Sequence, residues 1–356
     1  MDRLHSLDAF RGATIALMVI VNTAGDQSYA PLKHAEWHGW TITDVVFPSF
    51  LWIVGVALTL SLGKRVAEGV PRGRLFAQVL RRALILYCIG LFLYGFPHFD
   101  LSTLRLLGVL QRIAICYAAA AAIYLTTSLR GQIAWIVALL VSYWALMALV
   151  PVPGYGAGNL DVERNLAHYV DRMVLGAHNY AHTKTWDPEG VVSTLPAIAT
   201  ALLGVMAGRL LRARRDMAER TVWLLLAGNA LIAAGLICDP WLPINKKLWT
   251  SSFALFMAGL DFVVFAGFLW FVDHLRYRRW ARPLEILGMN AIAIYIASEM
   301  VLEIFSMLGW REPIYRSVFV PLGSPENASL AFAVTYTLVM FAIAWAMYRR
   351  KWFLKV

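Results

Sequence analysis

Residues 44–62 read Asp-Val-Val-Phe-Pro-Ser-Phe-Leu-Trp-Ile-Val-Gly-Val-Ala-Leu-Thr-Leu-Ser-Leu, and Lys64 and Arg65 follow directly after Gly63. After Asp44 no charged side chain interrupts the run. Its length suits a bilayer: about 20 apolar residues at ~1.5 Å rise cross a hydrocarbon core of about 30 Å. A helix satisfies its own backbone groups, which lipid cannot do for it. Working outward, comparable runs lie near 10–25, 83–97, 104–126, 133–151, 192–211, 221–238, 251–272, 284–305 and 328–348. The expected fold class is an all-α polytopic membrane protein with about ten transmembrane helices, in a single domain over residues 1–356.

Composition supports this reading. Hydrophobic residues make up 60% of the chain and charged residues 15%, against roughly 45–50% and 25% in soluble domains. The mean hydropathy is +0.61. The net charge of +10 does not point to nucleic acid, because the cations punctuate the apolar runs instead of gathering on one soluble face. Lys64, Arg65, Arg72, Arg74, Arg81, Arg82, Arg130, Arg209, Arg212, Arg214, Arg215 and Arg220 fall in one set of loops. Arg276, Arg278, Arg279, Arg282, Arg349, Arg350, Lys351 and Lys355 join them, as do Arg3 and Arg11. Roughly two-thirds of the Lys and Arg thus share one side, expected to be cytoplasmic with both termini. Residues 23–43, 153–191, 239–252 and 307–327 then face outward, toward the periplasm if the membrane is a bacterial inner membrane. Residues 164–180 carry Leu166, Tyr169, Val170, Met173 and Val174 on one face, as a helix in the outer interface would. Cys88, Cys116 and Cys238 have no ligand spacing and read as free buried thiols; no metal is expected.

The chemistry-bearing residues gather at the outer ends of the first two spans. Asn22 ends the first and Asp44 begins the second, and between them lies Lys33-His34-Ala35-Glu36-Trp37-His38-Gly39-Trp40. Imidazole suits proton transfer near neutrality, so His34 or His38 is a candidate base, against a plain interfacial histidine. Asp44 could orient an imidazole or cap a helix. Arg112, beside Gln111, sits inside the fourth run, where a charge marks a pathway or a buried pair; Asp261 is a candidate partner. Asn290 lines a tunnel or joins helices. Asp8 and Arg11 either help bind a phosphate or pair at i, i+3, and Glu299 and Glu303 share an exposed helical face. Asp187, Glu189 and Lys246, at outer span ends, contact an acceptor or lock loops.

Arg3-Leu-His-Ser-Leu-Asp-Ala-Phe-Arg-Gly12, Val21-Asn22, the 33–39 stretch and Thr43-Asp44-Val45-Val46-Phe47-Pro48 resemble the start of the catalytic membrane domain of heparan-alpha-glucosaminide N-acetyltransferases. The similarity continues through Gly108-Val109-Leu110-Gln111-Arg112 and Trp186-Asp187-Pro188-Glu189-Gly190 with Thr194. It extends through Pro243-Ile244-Asn245-Lys246 with Leu248-Trp249, and Gly288-Met289-Asn290-Ala291. The resemblance implies acetyl transfer from cytosolic acetyl-CoA to an amino group of a glucosamine-type sugar or glycan across the membrane. It places the family's catalytic His on His34 and its nearby Asn on Asn22; His38 stands where the animal enzyme has Asn. Arg112, Gln111, Asn290, Arg11 and Asp8 are then the expected acetyl-CoA contacts. Trp37, His38, Asp187, Glu189, Lys246 and Trp249 are the expected acceptor contacts. The rival reading is an N-acetylglucosamine-type permease; carriers of that kind are often built from repeats, and none is visible. The oligomeric state, a homodimer included, is left open.

Overall fold

The computed structural model describes residues 3–25 and 27–354; Lys355, counted above among the inner-face cations, lies outside them. Thirteen α-helices follow in order: α1 (His5–Ala24), α2 (Ile42–Ala67), α3 (Arg72–Gly95), α4 (Val109–Thr126), α5 (Leu129–Leu149), α6 (Leu166–Leu175), α7 (Thr194–Arg212), α8 (Met217–Cys238), α9 (Ser251–Phe268), α10 (Arg282–Met289), α11 (Ala291–Met307), α12 (Arg311–Ile314) and α13 (Pro325–Arg349). Among the described residues there is no strand, only isolated bridges at Gly39–Asn245 and Val152–Gly156. Among the described residues nine helices are long and apolar enough to cross a membrane, and α10 with α11, bent at 78°, makes ten if the pair is one span. The chain is therefore a multi-pass helical membrane protein.

Exposed side chains carry the membrane signature. Leu84 on α3, Leu226 on α8 and Leu338 on α13 are 64%, 57% and 61% exposed. Apolar faces of this kind are stable against lipid tails and not against water. Helices start where side chains replace missing backbone acceptors. Asn165 accepts from His168 N at 2.9 Å to begin α6, and Asp216 from Glu219 N at 2.6 Å to begin α8. Leu4 has no such side chain, so Asp273 caps α1 from a distance, accepting from His5 N (3.3 Å) and Ser6 N (3.0 Å).

Two compact units emerge: one from the described residues of Met1–Ala35, Trp40–Val46 and Val264–Lys355, the other from Glu36–Gly39 and Phe47–Val263. In the first, α1 packs on α10 and α13. The α1–α10 contact needs glycine on both sides. A Cβ on Gly12 would stand 1.7 Å from Leu284 O, and one on Gly288 1.9 Å from Asp8 O. In the second, α3 packs on α4, and α7 on α4 and α5. There α2 meets α7 in the same fashion, Gly55 against Ala201 O and Gly204 against Trp52 O.

Several expectations change. The third span starts at Arg72, not near 83, because long Arg side chains tolerate a helix end by reaching back to water. The run 284–305 is one broken element: α10 and α11 meet at 78° around Asn290. Cys88 is exposed and Cys238 half-buried, so only Cys116 is a buried thiol. Met173 and Val174 are exposed on α6, whereas Leu166 is buried, so the expected apolar stripe is split between surface and core.

Candidate functional site

In the first unit the site is built by a loop stitched to the start of α2. A 3-10 turn at Ala30–Leu32 carries Pro31 and leads into Lys33 in extended conformation. Thr41 Oγ1 donates to Lys33 O (2.6 Å) and Thr43 Oγ1 to Pro31 O (3.3 Å), which closes the loop over Asp44. The Asp44 carboxylate, 1% exposed, sits in the first turn of α2. It accepts from His34 Nδ1 at 2.6 Å, Ala35 N at 3.1 Å, Thr41 N at 3.0 Å and Thr41 Oγ1 at 3.2 Å. A helix N-terminus and several donors are what a buried carboxylate needs to stay ionised. His34 is half exposed, at 51%. A carboxylate only accepts, so Nδ1 is the donor of this bond, and in the neutral imidazole the lone pair then lies on Nε2. Asp44 thus both orients the imidazole and ties the helix start.

Asn22 Nδ2 donates to Glu299 Oε1 at 3.1 Å, so Glu299 is half-buried and engaged, while Glu303 is exposed as expected. Asp8 lies between Arg3 (2.6 Å) and Arg11 (3.1 Å), and Arg11 also reaches Gly288 O at 3.3 Å. The i, i+3 pair is therefore real. Asn290 clamps the chain end: its Nδ2 donates to Trp352 O at 3.1 Å and its Oδ1 accepts from Leu354 N at 3.2 Å.

The second unit holds a buried ionic knot. Arg105 grips Asp187 with Nη2 (2.6 Å) and Nε (2.8 Å), and Nη2 also meets Glu189. Its guanidinium lies 4.8 Å from the Tyr94 ring centroid and 4.3 Å from that of Tyr180. Burial works against the Arg105 cation, but Asp187, Glu189 and Tyr94 outweigh it and hold its pKa above the ordinary value. Burial alone would raise Glu189, yet the cations Arg105, Arg112 and Lys246 bring it below the usual range. Asp171 on α6 accepts from Asp187 N (3.3 Å) and Val191 N (2.9 Å). Burial, helped by the neighbouring Asp187 charge, pushes Asp171 up to about 6 against those two hydrogen bonds.

Arg112, fully buried, donates through Nη2 to Gly190 O (3.0 Å) and Ser193 Oγ (2.5 Å) and stands over the Trp249 ring at 5.2 Å. It does not pair with Asp261, which takes Ser49 Oγ at 2.5 Å instead. The carboxylates whose charge reaches Arg112 are Glu189, Asp187 and Asp171. Among the described residues, Arg112 Nε and Nη1 and both polar atoms of Gln111 are buried without a hydrogen-bond partner. The Gln111 amide lies against Gly90 of α3, whereas Arg112 points to Gly190, Ser193 and Trp249.

Trp249 is 1% exposed, bonded to Thr200 Oγ1 at 3.2 Å and packed on Phe47. Its ring faces the Arg112 guanidinium. Trp37 packs edge-on to His168 and Trp186 and donates to Leu160 O at 3.1 Å. His38 Nδ1 accepts from Asn245 Nδ2 at 3.4 Å. Asp187 and Glu189 are locked by Arg105. Sequence reasoning missed Arg105, Asp171 and His168. His168 stacks on Trp186 (4.1 Å, 7°), and burial pushes it down to about 3.

The sequence profile of the family described as "Heparan-alpha-glucosaminide N-acetyltransferase, catalytic" matches residues 3–235. The chain belongs to that family. Heparan-alpha-glucosaminide N-acetyltransferase of Homo sapiens is 29% identical over 99% of this chain. The Mus musculus protein of the same name is 29% identical over 100% of it. The chain spans 60% and 61% of the length of these curated relatives. Both the His34–Asp44 pair and the Arg105–Asp187–Glu189 knot lie inside the family match.

Proposed function

We propose that the chain is a membrane-embedded acetyltransferase that moves the acetyl group of acetyl-CoA to the amino group of a glucosamine-type sugar. The observation that carries this reading is the 2.6 Å bond from His34 Nδ1 to the buried Asp44 carboxylate. With its lone pair on Nε2, His34 serves as base or nucleophile. As base, Nε2 takes a proton from the acceptor amine while the nitrogen attacks the thioester carbonyl and the CoA thiolate leaves. As nucleophile, Nε2 attacks first, CoA leaves, and the acetyl-imidazole passes its acyl group to the amine. Asp44 stabilises the imidazolium that forms on the first route. Asn22, at the end of α1, is the candidate donor to the developing oxyanion.

Acetyl-CoA suits the unpaired nitrogens of Arg112, which would take carbonyl groups of its arm. Arg-rich loops on one side favour nucleotide entry from the cytoplasm, with both termini inside and His34 facing outward in a cell inner membrane. Names borne by the relatives support a glucosaminide acceptor.

The test is acetyl transfer from acetyl-CoA to glucosamine by purified protein in lipid nanodiscs, followed by release of the CoA thiol. His34→Ala is expected to lose about 10²–10⁴-fold in turnover with CoA binding retained. His38→Ala is expected to lose far less. Near-normal turnover by His34→Ala would overturn the mechanism.

A further inference from the structure

Asn22 stands in the last turn of α1, and its side chain reaches a second helix: Nδ2 donates to Glu299 Oε1 on α11 at 3.1 Å. Both partners are tied to α13. Ser329 Oγ of α13 donates to Ala24 O at the end of α1, and Tyr336 OH of α13 donates to Ser298 O, next to Glu299, at 2.7 Å. A common frame therefore holds the pair, within the unit that carries His34 and Asp44.

Glu299 lies on α11, one arm of the bent apolar pair. A carboxylate on such a helix is costly unless it has a partner or a task. Among the described residues no cation pairs with Glu299, and the side-chain bond it makes is the one to Asn22. Glu303, one turn further on, is exposed. Asp26, which lies outside the described residues, is no party to the bond.

The chemical consequence concerns direction. A carboxylate only accepts, so the end of the Asn22 amide that faces it is Nδ2 and not Oδ1. Turning the amide over would lose the bond and set two acceptors against each other. Nδ2 carries two N–H groups. Glu299 takes one, and the other has no partner among the described residues. A thioester carbonyl oxygen needs such a donor as negative charge gathers on it, whereas a flipped amide would offer it a lone pair.

We infer that Glu299 is a positioning residue for acyl transfer: its carboxylate fixes the Asn22 amide so that the free N–H is available to the oxyanion. The inference rests on the reading of Asn22 as the oxyanion donor, and Glu299 acts through that amide.

The experiment is a double-mutant cycle on protein in lipid nanodiscs. It measures kcat and KM for acetyl transfer from acetyl-CoA to glucosamine, with CoA affinity by calorimetry. Glu299→Met keeps the length of the side chain and removes the carboxylate. Its kcat is expected to fall about 10–100-fold, with KM for acetyl-CoA and CoA affinity within about twofold of wild type. Glu299→Gln keeps one acceptor oxygen and should stay within about fivefold of wild type in kcat. Asn22→Ala should lose about 10²–10³-fold. The deciding arm is Glu299→Met in the Asn22→Ala background. With no amide left to orient, the second change should cost less than about threefold. Losses that multiply in the double variant would show that Glu299 acts independently of Asn22 and would overturn the inference. Near-normal kcat in Glu299→Met would overturn it too, as would equal losses in the Gln and Met variants, which would assign the effect to charge. No transfer by wild type would sink the acetyltransferase reading and this inference with it. Wild-type transfer with losses that multiply sinks the positioning role alone.

Discussion

Asp44 Oδ1 lies 2.6 Å from His34 Nδ1, and the other oxygen of the same carboxylate holds Ala35 N and Thr41 N. One side chain therefore sets both the tautomer of the imidazole and the path of the loop that presents it. Asp44→Asn is nearly isosteric and retains one acceptor oxygen, so the loop should persist. The imidazole would lose its anionic partner. Turnover is expected to fall about 10²–10⁴-fold, with acetyl-CoA affinity little changed. Kinetics and calorimetry on the same preparation check this; turnover within a few-fold of wild type would remove Asp44 from the mechanism.

Arg105 is the hub of the second unit. Arg105→Gln would strand Asp187 and Glu189 in a nearly dry site, and breaking one side of a buried ion pair costs about 3–5 kcal/mol. The melting temperature should drop clearly, and the double variant Arg105→Gln/Glu189→Gln should recover part of the loss. A stable Arg105→Gln single variant would show that the knot contributes little.

His168 and Asp171 act oppositely on stability between pH 4 and 6. His168 is held down to about 3 by burial, so the unfolded chain binds more protons below its ordinary value of 6.5. Its contribution is therefore present above 6.5 and lost as the pH falls toward 3. Asp171 is raised to about 6 from 3.8, so the folded chain binds more protons in that window. Its contribution is greatest below 3.8 and fades as the pH rises through about 6. Asp171→Asn should make the rise of melting temperature from pH 4 to 6 steeper than in wild type. A flatter rise in that variant would contradict the assignment.

Sidedness is testable in cells. In a background with Cys88, Cys116 and Cys238 replaced, Ala35→Cys should react with an impermeant thiol reagent added outside. Ala213→Cys should react only after the membrane is opened. The reverse pattern would invert the proposed orientation.

Much of the fold was legible because lipid enforces a simple rule: long uncharged runs become helices. The break at Asn290 was not, since the sequence around it remains apolar and the cause is distant. Its amide is taken by Trp352 and Leu354, more than sixty residues away in the chain. The same contrast divides the site. His34 and Asp44 lie ten residues apart across one loop, and their pairing could be read from residue type and spacing. Arg105 was hidden inside the run read as 104–126; α4 begins only at Val109, which leaves Arg105 in a loop. Arg112 drew attention as a buried charge, but its partners, Gly190 O and Ser193 Oγ, carry no sequence signature.

The knot around Arg105 also has a history in time. Asp187 follows Arg105 by 82 residues, with α4, α5 and α6 between them. At about 5–20 residues per second, a ribosome delivers the acid roughly 4–16 s after the base. Until then Arg105 lacks both of its carboxylate partners. The joining of these two loops therefore waits until α4, α5 and α6 have been made, and a chain stalled between them would carry the Arg105 cation without its carboxylates.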